Sequence, residues 1–218
     1  MNIKKIQVVL SKERLFPYLT KHPDDPEKAI DHYKSNIKIS EAFYPPISVL
    51  EICLRNSIDL QLQKLYSTQE WYYEGHFTKI ISPFQITKIQ EARTNILRER
   101  KTITPGKMIA ELSFGFWTSL FDKRFDKTLW KQLRLTFPSC PKQIRQRNTI
   151  SKKLNGIRKF RNRIFHHEPV SWSIIALEIY RNEIYESIDW LDPELLEFFD
   201  DTFRLDAVLG SEKNNLKG

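Results

Sequence analysis

The chain of 218 residues has only two cysteines and six glycines. Cys53 and Cys140 stand far apart, outside any Cys-x-x-Cys or Cys/His spacing. We therefore expect no disulfide framework, no zinc site and no other cofactor, and this thiol usage fits a reducing cytoplasm. So few glycines argue against glycine-rich phosphate loops and against a β-sandwich.

Long apolar runs and linkers are also missing. The start of the chain, Met1–Lys5, leads into no long apolar segment, so we expect neither a signal peptide nor a membrane span. No Pro/Gly/Ser-rich stretch divides a chain that is long enough to bury a substantial core. The sequence predicts one domain over residues 1–218, with a lead-in at 1–23 and a frayed tail at 211–218.

Acidic residues are absent from Lys142 to Arg163, where nine lysines and arginines occur. The whole chain carries a net charge of +8, whereas the stretch from Glu183 to Glu212 is acidic. A one-sided basic block predicts contact with a phosphate backbone, and an ordinary solvated helix face is the alternative. The predicted RNA-binding residues are Lys142, Arg145, Arg147, Lys152, Lys153, Arg158, Lys159 and Arg163.

Helical periodicity with proline, serine and acidic start signals predicts an all-α fold. The first predicted helix runs from Asp24 to about Phe43, and after an interruption at Tyr44-Pro45-Pro46 a second covers 47–66. Further helices are predicted from Ser82-Pro83 to about Lys101, over 108–125, over 130–137, and from near Lys142 through the basic block. The last two are predicted over 172–190, with Ser171 as the cap, and from Asp192-Pro193 onward.

Structural roles are the favoured interpretation of an aromatic segment and of three histidines. The aromatic segment 71–77 could stack on bases, but filling the core is the favoured interpretation. His22, His32 and His76 have no companions at ligand spacing, so we expect surface or capping roles for them.

The richest chemistry lies between Arg158 and Pro169. In this helix Leu154, Ile157, Phe160 and Ile164 form the buried stripe. Asn162 and His166 are helical neighbours four residues apart, but Arg161 points in another direction. Either the last turn distorts near Pro169, or a second copy of the helix completes the site, and we favour the second.

Histidine, arginine and an amide are the groups that RNA strand cleavage requires. Histidine can move the proton, arginine can hold phosphate oxygens with two hydrogen bonds, and the amide can orient the imidazole. A 2′-hydroxyl would attack its own phosphate without a metal. The alternative is a solvated cationic helix that stops before a proline.

The pattern Arg161-Asn162-x-x-x-His166 resembles the motif of HEPN ribonuclease domains, and the surrounding chain is similar to the Abi-like (AbiD/AbiF type) abortive-infection branch. Three further segments carry the resemblance: Leu50-Glu51-x-x-Leu54-Arg55-Asn56, Glu111–Trp117 and His167-Glu168-Pro169.

The resemblance implies a HEPN-like helical bundle with additional N- and C-terminal helices, and a homodimer whose two motifs face a shared cleft. It also implies metal-independent RNA cleavage by a toxin-like effector of phage defence, with Arg161 and His166 essential and Asn162 supporting. An antitoxin protein or RNA is a possible further partner. Some members of the superfamily bind RNA without cutting it, so a non-cleaving RNA-binding module is the alternative.

Four residues within these segments are candidates for bracing the site: Glu51, Arg55, Asn56 and His167. Glu51 and Arg55 are four apart in the order that favours a local ion pair, which is one interpretation. The other, based on the resemblance, is that their helix packs beside the motif helix.

Overall fold

The structure, a computed structural model, describes residues 3–216, without the side chains of Ile3, Lys4, Asn214 and Asn215. Helices make up 75% of the chain, and the described residues contain no β-strand. The prediction of an all-α fold is therefore confirmed. No helix within the described range has both the length and the apolar character needed to cross a bilayer.

The helices of this range are α1 (Ile3–Leu10), α2 (Lys12–Lys21), α3 (Pro26–Tyr66), α4 (Gly75–Ile80), α5 (Pro83–Arg98), α6 (Pro105–Glu111), α7 (Phe114–Ser119), α8 (Trp130–Leu133), α9 (Arg147–Phe165), α10 (Ile174–Leu191), α11 (Glu194–Phe198) and α12 (Leu205–Leu216). Short 3-10 turns occur at Trp71–Tyr73, Lys123–Phe125 and Arg134–Thr136.

The chain divides into two compact units. The motif unit comprises the chain up to Ile47, Lys159–Ile184 and the chain from Phe198 onward. The companion unit comprises Ser48–Arg158 and Tyr185–Glu197. Both units are assembled from segments distant in sequence, and helices α3, α9 and α10 each contribute residues to both. The expectation of a single domain stays a prediction.

Helix α3 continues through Pro45 and Pro46, where the sequence predicted an interruption. Proline has no N–H, so two hydrogen bonds of the helix are lost there. Phe43 and Ile47, on either side of the prolines, are both 0% exposed. The prediction was wrong because burial of the flanking residues holds the helical path that local propensity disfavours.

The segment predicted as one helix over 108–125 is broken instead. Helix α6 ends before Leu112, whose backbone is extended, and the Ser113 hydroxyl accepts a hydrogen bond from the Phe116 N–H at 3.4 Å. A serine that caps a new helix competes with continuation of the old one. The short α7 therefore starts at Phe114.

Two other helix starts differ from prediction. Helix α9 begins at Arg147 and not near Lys142. Helix α10 is capped by Ser173, whose hydroxyl accepts from the Ala176 N–H at 3.3 Å. Ser171, the predicted cap, is buried at 1% exposure.

The aromatic segment 71–77 fills the core of the companion unit, as favoured from sequence. Trp71, Tyr72 and Phe77 are each 0% exposed. The Trp71 indole N–H donates to a carboxylate oxygen of Asp59 at 2.7 Å, while burial raises the pKa of that carboxyl. The ring of Trp71 also contacts Trp117 edge-on, with centroids 6.0 Å apart.

The C-terminal helix α12 is anchored, although the sequence predicted fraying from Ser211. Glu212 is 3% exposed and accepts hydrogen bonds from Ser35 at 2.6 Å and Lys38 at 2.8 Å. A buried carboxylate with two partners fixes the helix at Glu212. Fraying of the residues beyond it stays a prediction, and Lys217 and Gly218 lie outside the described residues.

Two histidines form a buried pair in the motif unit. Nε2 of His22 lies 3.1 Å from Nδ1 of His32, and Nε2 of His32 lies 3.0 Å from the Ser171 carbonyl oxygen. Since a carbonyl only accepts, a neutral His32 donates from Nε2 and accepts from the N–H of His22. Burial is the main cause that lowers the pKa of both rings. His32 is only 4% exposed, so the surface or capping role predicted for it was wrong.

We expect acid to destabilise the fold through this pair. Both folded-state pKa values lie below the ordinary value of about 6.5, so the unfolded chain binds more protons as the pH falls below it. Stability is therefore lost as the pH falls from about 6.5 to the folded-state pKa of the two rings. Urea unfolding between about pH 7.5 and pH 5 should show a smaller pH dependence in the double variant His22→Gln, His32→Gln than in wild type. His76→Gln, at an exposed position, is the control and should keep the wild-type dependence. A double variant with an unchanged dependence would contradict this expectation.

Candidate active site

Helix α9 buries one side, which sets how the motif is presented. The predicted stripe is buried, with each side chain at most 5% exposed: Leu154, Ile157, Phe160 and Ile164. Phe160 stacks on Tyr180 of α10, with ring centroids 4.0 Å apart and planes 7° from parallel. Because the stripe fixes the rotation of α9, the polar positions between the stripe residues face elsewhere.

Helix α9 ends in a Schellman motif. His167 has a left-handed backbone with φ of 56°. Its N–H donates to the Ile164 carbonyl at 2.9 Å, and the Glu168 N–H donates to the Arg163 carbonyl at 2.8 Å. This pair of bonds satisfies carbonyls that a helix end otherwise leaves free. The turn after the helix therefore has a defined backbone.

The segment after the turn is held by Asn36 of α3. This side chain is 4% exposed, and its Oδ1 accepts from the N–H groups of Val170 at 2.7 Å and Ser171 at 3.1 Å. Its Nδ2 donates to the Glu168 carbonyl at 3.5 Å. One buried amide thus determines where the chain runs when it leaves the motif.

Two arginines hold the same turn by its carbonyl oxygens. Arg14 of α2 donates to the His167 carbonyl, and Arg163 donates to the Pro169 carbonyl. Sequence reasoning assigned no role to Arg14 or Asn36. Each is separated from the turn by 132 or more residues, so no local pattern could have revealed it.

The three predicted catalytic residues lie at the end of α9. His166 is exposed, whereas Arg161 and Asn162 are half-buried. The His166 N–H donates to the Asn162 carbonyl at 2.9 Å, so His166 still follows the helical path. Among the described residues, neither the His166 ring nor the Asn162 amide group forms a side-chain hydrogen bond. Both side chains are available to a ligand.

Arg161 faces away from His166. Five residues at about 100° each put the two side chains about 140° apart around the helix axis. The guanidinium carbon of Arg161 lies 3.9 Å from the centroid of the Phe165 ring, one turn further along the helix. The helical hydrogen bonds persist as far as His166, so the distorted last turn that the sequence left open is not found in this structure.

The predicted bracing residues occupy two places. Glu51, Arg55 and Asn56 lie on the part of α3 that belongs to the companion unit, and Asn56 is exposed. Nη1 of Arg55 lies 3.5 Å from the Ala110 carbonyl of α6. His167 forms the left-handed turn itself. Bracing of the motif by the three α3 residues stays a prediction.

The predicted RNA-binding residues fall into two groups. Lys142, Lys152 and Lys159 are exposed and make no ion pair or hydrogen bond with other described residues. The other five have intramolecular partners: Arg145 with the Phe137 carbonyl (3.0 Å), Arg147 with Asp126 (3.0 Å), Lys153 with Glu186 (2.5 Å), Arg158 with Asn155 Oδ1 (3.2 Å) and Arg163 with the Pro169 carbonyl. The three lysines can bind phosphate without breaking an internal contact.

Other reactive groups are few. Within residues 3–216 no group of three His, Cys, Asp or Glu side chains is arranged to hold a metal ion. Cys53 and Cys140 are free thiols, and burial raises the pKa of both. Neither thiol is therefore a ready nucleophile at neutral pH.

No family model, curated protein or solved structure matches the chain. The interpretation of the site therefore depends on its own geometry and on the motif.

We predict that Asn36→Leu lowers the free energy of unfolding by about 2–4 kcal/mol, because two buried N–H groups lose their acceptor. Urea denaturation measures the loss. Asn56→Leu makes the same substitution at an exposed position of α3 and should change stability by less than about 0.5 kcal/mol. Equal effects of the two substitutions would show that Asn36 is not an anchor.

Proposed function

We propose that the protein is a homodimeric, metal-independent endoribonuclease of the HEPN type. It acts in the cytoplasm as a toxin-like effector of abortive infection, the phage defence implied by the resemblance. The order Arg161-Asn162-x-x-x-His166 and the three accompanying segments support the class.

The observation that carries the proposal is the placement of His166. Its ring is exposed at the end of α9, one helical turn after Asn162, and the following turn is held by hydrogen bonds to its backbone. A proton-transfer group needs access to substrate and a fixed position. The exposed ring of His166 provides the access, and the hydrogen-bonded turn fixes the backbone that carries it.

The proposed reaction needs two proton transfers. His166 of one subunit removes the proton from the 2′-hydroxyl, and the 2′-oxygen attacks the phosphorus. The bond to the 5′-oxygen breaks, and the partner subunit's His166 gives a proton to that oxygen. Arg161 stabilises the charge added to the phosphate oxygens, and Asn162 orients the imidazole. The products are a 2′,3′-cyclic phosphate and a 5′-hydroxyl.

A second copy of the chain supplies what one helix lacks. On a single α9, Arg161 and His166 are about 140° apart, and only one such histidine is present. Two copies of α9 that face each other bring the arginine of one subunit toward the histidine of the other. A homodimer thus gives each site both groups and both proton-transfer steps.

A non-cleaving RNA-binding module is the second candidate. It is favoured by the exposed Lys142, Lys152 and Lys159, which can bind phosphate whether or not His166 is catalytic. Such a protein would bind RNA with a steep salt dependence and leave it intact. If the protein does cut RNA, an antitoxin protein or RNA is expected to restrain it.

Incubation with total RNA tests the activity. His166→Ala and Arg161→Ala should each lower the cleavage rate at least about 100-fold, because each removes a group that acts on the transition state. Cleavage should persist in a chelator and leave cyclic-phosphate ends. The controls His76→Ala and Arg93→Ala remove the same residue types at exposed positions and should cleave like wild type. Undiminished cleavage by either motif variant would falsify the proposal.

A mixing experiment tests the shared site. Wild type refolded with a ninefold excess of His166→Ala protein leaves only about one wild-type chain in ten paired with another wild-type chain. Because the reaction uses His166 from both subunits, activity per wild-type chain should fall about tenfold. Activity per wild-type chain that stays unchanged, in a mixture shown to exchange subunits, would exclude a site shared between subunits.

A further inference from the structure

A cavity of about 650 Å³ opens in the motif unit at the last turn of α9. One wall comes from α3 and includes Tyr44, and Ile164, Phe165 and His167 form another part of the lining. The volume lies within the roughly 300–1,000 Å³ of pockets that hold small ligands. The cavity therefore adjoins the proposed catalytic residues without being formed by them.

An aromatic surface lines this cavity. The rings of Tyr44 and Phe165 are stacked, with centroids 5.3 Å apart and planes 27° from parallel. Tyr44 is nevertheless 53% exposed, so Phe165 covers one face and the rest of the ring is open. Arg161 lies against the same Phe165 ring at 3.9 Å. Tyr44 contacts Phe165 and Phe165 contacts Arg161, so a planar group stacked on Tyr44 would extend a series of contacts that ends at this arginine.

Two charged side chains stand at the rim. Nη2 of Arg204 donates to Oε1 of Glu41 at 2.8 Å, and both side chains are more than half exposed. The second carboxylate oxygen, Oε2, makes no other hydrogen bond among the described residues. The rim thus offers an acceptor and several donors to the edge of a planar ligand.

We propose that this cavity binds the nucleobase next to the scissile phosphate, with the base stacked on Tyr44 and its edge read by Glu41 and Arg204. The identification of RNA as the ligand rests on the proposed function. Guanine is the best match, because its N1–H and N2–H are adjacent donors for a carboxylate, whereas its O6 and N7 accept from a guanidinium. Uracil has no such pair of donors.

The same observations disfavour an apolar peptide as the occupant. A side chain of a protein partner would bury the cavity wall and leave the exposed pair of Glu41 and Arg204 without a new partner. A base uses the ring and the charged rim together, since stacking and edge recognition occur in one planar group.

Binding of mononucleotides tests the cavity separately from cleavage. NMR titration of the full-length protein with guanosine 5′-monophosphate and uridine 5′-monophosphate should show tighter binding of the guanine nucleotide. Tyr44→Leu should weaken that binding roughly tenfold or more, and Tyr44→Phe should retain it. Tyr73→Leu, at a tyrosine 47% exposed in the companion unit, is the matched control and should bind like wild type. Thermal unfolding checks that each variant is folded.

Glu41→Gln tests how the base is recognised. It removes the carboxylate but keeps a side chain of similar size, so the preference for the guanine nucleotide over the uridine nucleotide should fall about tenfold. Because Glu41 is exposed, we expect the variant to fold normally. A guanine preference that Glu41→Gln leaves intact would overturn recognition by Glu41.

The two proposals fail in different ways. If guanine nucleotide binding needs the Tyr44 ring but the protein does not cut RNA, the cavity proposal is supported and the nuclease proposal is contradicted. Cleavage through His166 with no nucleotide binding, or with binding that is the same in Tyr44→Leu, overturns the cavity proposal and leaves the nuclease standing.

Discussion

The turn that presents His166 depends on the buried amide of Asn36. Two consecutive N–H groups, those of Val170 and Ser171, have this one oxygen as their acceptor, and the cost of leaving them unpaired in the interior is high. A serine would be too short to reach from α3, and an aspartate would bring a charge into the interior. The position of the chain after α9, and with it the start of α10, follows from this contact.

The same region concentrates different chemistry in a few residues. Phe165 packs with Tyr44 on α3 and carries Arg161 on its ring, while the next residue is the exposed His166. Phe165 therefore joins an aromatic surface to a cation on one side of α9, while the exposed imidazole of His166 points to another side.

In the folded chain, some residues of the basic block form intramolecular ion pairs and others remain exposed. Its sequence predicts a uniform phosphate-binding stretch, but Arg147 is bonded to Asp126 and Lys153 to Glu186. Lysines such as Lys152 and Lys159 remain exposed. Sequence cannot separate the two kinds, because the acids that take up the arginine and lysine side chains come from other parts of the chain.

Much of the helical framework could be predicted from the sequence, because local physics determines it. The Ser82-Pro83 start gives a capping box at α5, and the spacing of Leu154, Ile157, Phe160 and Ile164 gives the buried side of α9. The sequence also identified the Arg161-Asn162-x-x-x-His166 motif. Only tertiary structure decided that α3 runs through Pro45 and Pro46, that Asn36 and Arg14 hold the motif turn, and that a cavity opens beside Phe165. These features depend on burial and on contacts between residues more than a hundred positions apart, which no local pattern encodes.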